Sequence, residues 1–224
     1  MIARTPLPRH PKPFEKVGAY ARHGNPSGRN PRSMRLRTLT AGLTLLGTAL
    51  AVSPAPAQAA VQGHGDARHD VVRDDAGTDR PAPDNRTADI RRLRVNHTGT
   101  ALSTTLVLDT IAKDHWGVIW QVKTPEQGRW TVQVLKFGQT KDFTLHHRGK
   151  TVACADMTKQ VTRSTGTVHV VVPRSCLDDP AWVRVGGGAF ASSSDGMKQY
   201  ADDARLDGEV HQAGLVLGPR LAAG

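Results

Sequence analysis

Eight aspartates in two loop-like stretches are the residues of this sequence best suited to chemistry. Asp74, Asp75, Asp79, Asp84 and Asp89 fall in DDAGTDRPAPDNRTADI (residues 74–90), and Asp202, Asp203 and Asp207 fall in DDARLDG (residues 202–208). Hard cations such as Ca2+ take six to eight oxygen ligands, and loops rich in carboxylates can bring them together. If the first and last strands of a β-domain lie side by side, the two stretches share one rim. Asp74, Asp75, Asp89, Asp202, Asp203 and Asp207 are then the candidate calcium ligands. The plainer reading competes with it: the spacing matches no EF-hand, and loop aspartates commonly start turns or cap strand ends. Arg80, Arg86 and Arg205 also stand near enough in sequence to pair with them. Calcium is therefore the secondary reading of these loops.

Other chemistry is sparser. Sugar binding needs aromatic faces turned to solvent or into a cleft. Alternation places Trp116, Trp120 and Trp130 beside Val and Leu positions, so they belong to a core, whereas Trp182 and Tyr200 fall outside strong strand faces and are the candidate ligand-binding pair. His146 and His147 adjoin on a predicted strand, where successive side chains leave opposite faces, which disfavours a shared zinc. Ser103, Ser175 and Ser192 to Ser194 lie in no GxSxG elbow. Gly186 to Gly188 sit inside β-pattern rather than before a helix, so they form no phosphate loop. No catalytic residue is assigned.

The charge balance bears on partners. Of 224 residues with a net charge of +10, residues 1–59 hold nine Lys/Arg and one acid, Glu15, so most of the excess lies there. The remainder is nearly balanced, which removes the main support for nucleic-acid binding. Arg91, Arg92 and Arg94 form a local basic run that reads as a solvated face or as partners for nearby aspartates.

Export accounts for the basic segment. MRLRTLTAGLTLLGTALAVSPAPAQAA has a cationic start at Met34 to Arg37, an apolar run from Leu39 to Val52 and a small-x-small site at Ala57-Gln58-Ala59, the three parts of a secretory signal. Cleavage before Ala60 leaves no stable membrane anchor. The apolar run is short against the roughly 20 residues a bilayer needs. Residues 1–33 read as a basic extension or an over-early start, 34–59 as a signal peptide, 60–70 as a flexible leader, 71–210 as the folded domain and 211–224 as a tail. Cys154 and Cys176, the only cysteines, are expected to pair in an oxidising exterior, with two buried thiols as the alternative.

The elements that must position these residues have a period of two. Leu93 and Val95 alternate with Arg92, Arg94 and Asn96; Leu102, Leu106 and Leu108 share a face with Thr104; Trp116, Val118, Trp120 and Val122 share another. Such alternation marks half-buried strands. Gly99 in NHTGT and the turn TPEQGR predict two hairpins. Further strands are predicted at DFTLHH, TVACA, KQVTR and TVHVVVP, ended by Pro173. WVRVGGGAFAS follows, with the glycine run expected as a bulge or bend. The expectation is an all-β antiparallel sandwich, jelly-roll or immunoglobulin-like, with eight or nine strands and one disulfide.

The Asp-rich leader, the ADI entry into a strand, the LVLD strand and the late GKTVAC, VPRSC and DDARLDG segments resemble small secreted actinobacterial β-sandwich proteins of unknown function over most of residues 70–210. Through Asp89-Ile90 and strand order the chain is more distantly similar to the DOMON and family-9 carbohydrate-binding-module group. That likeness implies non-catalytic ligand binding, with sugar or haem as ligand in parts of the group. The sequence therefore reads as a secreted, non-catalytic binding module of the cell envelope or exterior, with Ca2+ as its candidate cofactor and an extracellular glycan or protein as its candidate partner. A secreted hydrolase with an unrecognised site is the alternative.

Overall fold

Every-second-residue alternation can be satisfied only if each strand shows one face to a common interior and the other to water. The chain does this with two antiparallel sheets. The computed structural model describes residues 60–75, 78–126, 128–211 and 213–224; the extension and signal read at 1–33 and 34–59 lie outside the described residues. Numbered in chain order, the first sheet contains β1 (Ala60–Gly65), β4 (Ile90–His97), β5 (Ala101–Leu108), β10 (Thr158–Thr162) and β11 (Thr167–Pro173), in the order β1-β4-β5-β11-β10. The second contains β2 (Val72–Asp75), β3 (Thr78–Pro81), β6 (Trp116–Thr124), β7 (Gly128–Phe137), β8 (Thr140–His147), β9 (Lys150–Val152), β12 (Trp182–Ser192) and β13 (Gln199–Asp203). Its order is β3-β2-β13-β12-β6-β7-β8-β9, and β14 (Leu221–Ala222) pairs with β12. Among the described residues no helix is long and apolar enough to cross a membrane.

The core lies between the sheets. Leu93, Val95, Leu102, Leu106, Val168 and Val170 meet Val118, Trp120, Val122, Val132, Leu145, Val183 and Val185, all buried in one cluster. Both predicted hairpins form, β4 with β5 and β6 with β7. The disulfide joins Cys154 to Cys176 with a Cα–Cα distance of 5.8 Å.

Four features differ from the sequence reading. The predicted leader contains β1, which pairs with β4 from Ala60↔His97 to Gly65↔Arg92. Its Gly-His-Gly composition hides it, because an edge strand without large apolar residues carries no visible period. The strand count exceeds eight or nine because β1, β2, β3 and β14 are short and largely polar or exposed. The predicted tail completes the sheet: β13 reaches only Gly188 to Ser192 of β12, and Ala204, Gly218 and β14 supply the backbone partners of Gly187, Val185 and the strand's start. Finally, Gly186 to Gly188 form no bulge, since β12 and β6 stay in continuous register from Arg184 to Ala191. They are glycines because neighbours approach closely. A Cβ on Gly186 would stand 2.6 Å from the Val216 carbonyl oxygen, and one on Gly187 would stand 3.0 Å from a Leu106 methyl.

Candidate metal centre

The connections between the sheets decide where the carboxylates go. The β1–β2 connection carries Asp66 and Asp70, the β3–β4 connection delivers Asp89, and β13 carries Asp202 and Asp203 with Asp207 in the turn beyond. β2 pairs with β13, so the early and late acidic stretches do meet. Asp70, Asp89 and Asp202 can each present an oxygen, with the three oxygens mutually within 4.8 Å; Asp66, Asp70 and Asp207 form a second such triad that shares Asp70. The first triad is the more enclosed, with Asp89 at 1% and Asp202 at 3% exposure.

Each of four carboxylates is fixed in the same way. One oxygen accepts a backbone N–H: Asp66 Oδ1 from Ala67 (3.1 Å), Asp70 Oδ2 from Gly208 (3.3 Å), Asp89 Oδ2 from His69 (3.2 Å) and Asp202 Oδ2 from Ile90 (2.7 Å). The other oxygen of each, Asp66 Oδ2, Asp70 Oδ1, Asp89 Oδ1 and Asp202 Oδ1, is buried without a hydrogen-bond partner among the described residues. Buried polar atoms are seldom left unpaired, and a buried charge without a partner is costly. Burial, reinforced by the neighbouring Asp202 and Asp70, pushes the Asp66 carboxyl up to about 9. Burial and the charges of Asp70, Asp89 and Asp203 push Asp202 up to about 8, against the opposing pull of the Ile90 N–H. Asp89 is likewise raised by burial. In a cation-free cluster, repulsion and desolvation thus favour protonation. A neutral carboxyl would normally hand its proton to a neighbouring carboxylate in a short hydrogen bond, yet these oxygens have none.

A cation would resolve the conflict. Three oxygens mutually within 4.8 Å can surround a common point at no more than about 2.8 Å, close to the Ca–O range of about 2.3–2.6 Å, and an all-oxygen donor set suits a hard ion rather than zinc. Arg205 is half-buried close by, sensed by Asp203 and Asp66, but forms no ion pair with either among the described residues, and its Nε and Nη2 lack partners.

The other candidate residues fare differently. Asp203 is buried, but its oxygens accept the N–H groups of Val216 (2.8 Å) and Arg205 (3.2 Å), so it anchors the C-terminal segment rather than joining either triad. Asp74 is exposed on β2, opposite Asp79 and Gln199, and is not among the converging carboxylates. The Asp75 side chain lies outside the described residues. Asp66 and Asp70 were missed because they fall in the stretch read as leader; the signal that could have found them is the HGDARHD spacing directly before Val71 and Val72, which are buried. Arg86 pairs with Asp109 rather than with the acidic loops.

Trp182 and Tyr200 do not form an exposed pair. Both are half-buried. Trp182 is covered by the Arg220 guanidinium at 4.3 Å, and Tyr200 packs on the Val71, Ala88 and Ala191 cluster. Tyr200 pairs with Ala191, nine residues along β12 from Trp182, so about 30 Å of strand separates them. His147 stacks on Trp130 at 4.1 Å, while His146 bonds to Thr144 on the other face. Comparison with known families finds no family model that matches the chain, and comparison with curated proteins finds no matching relative.

Proposed function

We propose that the protein is an exported, non-catalytic binding module clasped at one end by Ca2+, held by Asp70, Asp89 and Asp202 with Asp66 and Asp207 on the outer side. The observation that carries this reading is the shared pattern of four carboxylates, each with one oxygen fixed by a backbone N–H and the other buried and unpartnered. Side chains so held present lone pairs to a common point without further ordering, as a pre-formed cation site requires. The disulfide supports a place outside the reducing cytoplasm, as does the secretory pattern at 34–59. Extracellular modules of this kind hold calcium at about 0.1–1 mM, so a site in that range would be filled outside the cell.

Isothermal titration of the chelator-treated protein with CaCl2 tests the reading. One to two ions per chain, with affinity lost in Asp89→Asn and Asp202→Asn, are expected. The absence of heat and of any melting shift at 10 mM CaCl2 would discard it.

A further inference from the structure

A second surface is the outer face of the five-stranded sheet, where Arg92 stands opposite Gly65, one residue from Asp66 of the acidic cluster. None of its five strands contains an acidic residue. Arg92 and Arg94 point outward from β4, exposed, while Leu93 and Val95 fill the core; among the described residues neither guanidinium has a hydrogen-bond or ion-pair partner. Register aligns Arg94 with Thr105, Thr105 with His169 and His169 with Gln160, a row of four strands about 14 Å wide. Beside the arginines lies an open groove of about 340 Å3 lined by Thr105, Gln160, Thr162, Thr165, Thr167 and His169. Thr105 Oγ1 bonds His169 Nδ1 at 2.9 Å, which orients the ring and leaves Nε2 without a hydrogen-bond partner among the described residues.

We infer that this face binds a carboxylated polysaccharide, with the arginines taking carboxylates and the groove taking hydroxyls. Guanidinium forks pair with carboxylates in two parallel bonds, and hydroxyl, amide and imidazole groups both donate to and accept from sugar hydroxyls. The proportion of groups selects the partner: two unpartnered cations, with Arg163 tied to the Lys113 carbonyl at the groove's end, stand beside six neutral hydrogen-bonding side chains, which matches a polymer whose hydroxyls outnumber its charges. Polyphosphate and nucleic acid space their charges more closely along the backbone and ask for more cations, and polyphosphate offers no hydroxyls to the neutral side chains. An anionic lipid surface asks for a cluster of four to eight. A neutral glycan would leave the arginines idle and would gain from aromatic platforms, but Trp116, Trp120 and Trp130 are in the core.

The test is binding of polygalacturonate oligomers to the purified protein by biolayer interferometry, at 50 and 200 mM NaCl, in 1 mM CaCl2 and in chelator. The comparison ligands are dextran, polyphosphate and phosphatidylglycerol vesicles. Polygalacturonate should bind best and weaken at high salt. Its affinity should fall at least tenfold in Arg92→Ser/Arg94→Ser and severalfold in Gln160→Ala, exposed positions whose melting temperatures should match the parent. No binding at 50 mM NaCl, equal binding of dextran, or stronger binding of polyphosphate or vesicles would overturn the assignment. So would binding that chelator abolishes but the arginine substitutions leave intact, because that places the polymer on the acidic cluster.

Discussion

Replacing Asp202 by Asn should reverse its effect on stability according to whether calcium is present. Two ionised carboxylates within 4.8 Å repel by roughly 3 kcal/mol at an effective dielectric constant of 20, and Asp202 faces both Asp70 and Asp89. Without a cation the cluster avoids that repulsion by keeping a proton on Asp202, which is raised to about 8, so Asn replaces a carboxyl that is already neutral at pH 7, keeps its shape and still offers an oxygen to the Ile90 N–H. Asp202→Asn should therefore melt at or above the parent in chelator. With calcium the balance inverts. A site of about 0.1 mM affinity, saturated at 10 mM, stabilises the fold by about 2.7 kcal/mol, which for a domain of this size is a rise of roughly 5–11 °C. Loss of one buried ligand that weakens binding a hundredfold leaves about 0.4 kcal/mol, near 1 °C. Differential scanning fluorimetry of both proteins, in chelator and in 10 mM CaCl2, reads all four values. An undiminished calcium shift in the variant, or a variant equally destabilised in both buffers, would refute the reasoning.

Three further outcomes follow from the geometry. In chelator, stability should fall between pH 7 and 9. The carboxyls of Asp66 and Asp202, raised to about 9 and about 8, keep their protons in the folded state, whereas the unfolded chain has already lost them; the extra stability is complete below the ordinary value of 3.8 and disappears as pH passes the folded values. His97, buried and lowered by that burial, acts in the opposite sense near pH 6.5, so melts above pH 7 isolate the carboxyl effect; a flat or rising curve there would contradict it. Reduction of Cys154–Cys176, which closes a loop of sequence separation 22, should cost about 3 kcal/mol, seen as a drop of roughly 6–12 °C in melts with and without reductant. Gly186→Ala should destabilise by about 1–3 kcal/mol, because its Cβ would meet the Val216 carbonyl; a urea midpoint equal to the parent's would show that the C-terminal segment can move aside.

The strands that fill the core were legible because Leu93, Val95, Val118, Trp120, Val132 and Val170 each have a polar neighbour on either side or lie in a strand whose period of two is plain. Edge pieces were not. β1 alternates Gln62 and His64 with glycines, and its place is set by ladder bonds to β4, which no side-chain pattern records. The calcium candidate shows the same division. Asp89 and Asp202 were legible as members of acidic stretches, but Asp66 and Asp70 join them only because β1 pairs with β4 and sends the chain across to β2. Asp203, next to Asp202 in sequence, is diverted to the backbone of Arg205 and Val216. Adjacent aspartates on one strand face opposite ways, so only one of the two could enter the cluster.

The disulfide and the proposed calcium site occupy opposite ends of the sandwich, so each would restrain the end that the other leaves to packing alone. At one end the chain passes between sheets in the β1–β2, β3–β4 and β5–β6 connections, where Asp66, Asp70 and Asp89 gather and where Arg86 and Arg91 reach Asp109. At the other end, about 24 Å away along β4, the β9–β10 connection carries Cys154 and the turn after β11 carries Cys176. Ladder hydrogen bonds hold strands within each sheet but cannot join one sheet to the other. Between sheets there is apolar packing, which is not directional, a few hydrogen bonds such as that from the Ile90 N–H to Asp202, and the covalent crossings themselves. A bridge at one end and, on the proposed reading, an ion at the other would restrict the crossing connections, and each would remove freedom mainly from the unfolded chain or from a loosened end. Because the sites share no residue, their contributions should add: the calcium shift measured in reduced protein should equal that in oxidised protein within about 0.5 kcal/mol, and a larger difference would mean that the sandwich transmits strain along its whole length.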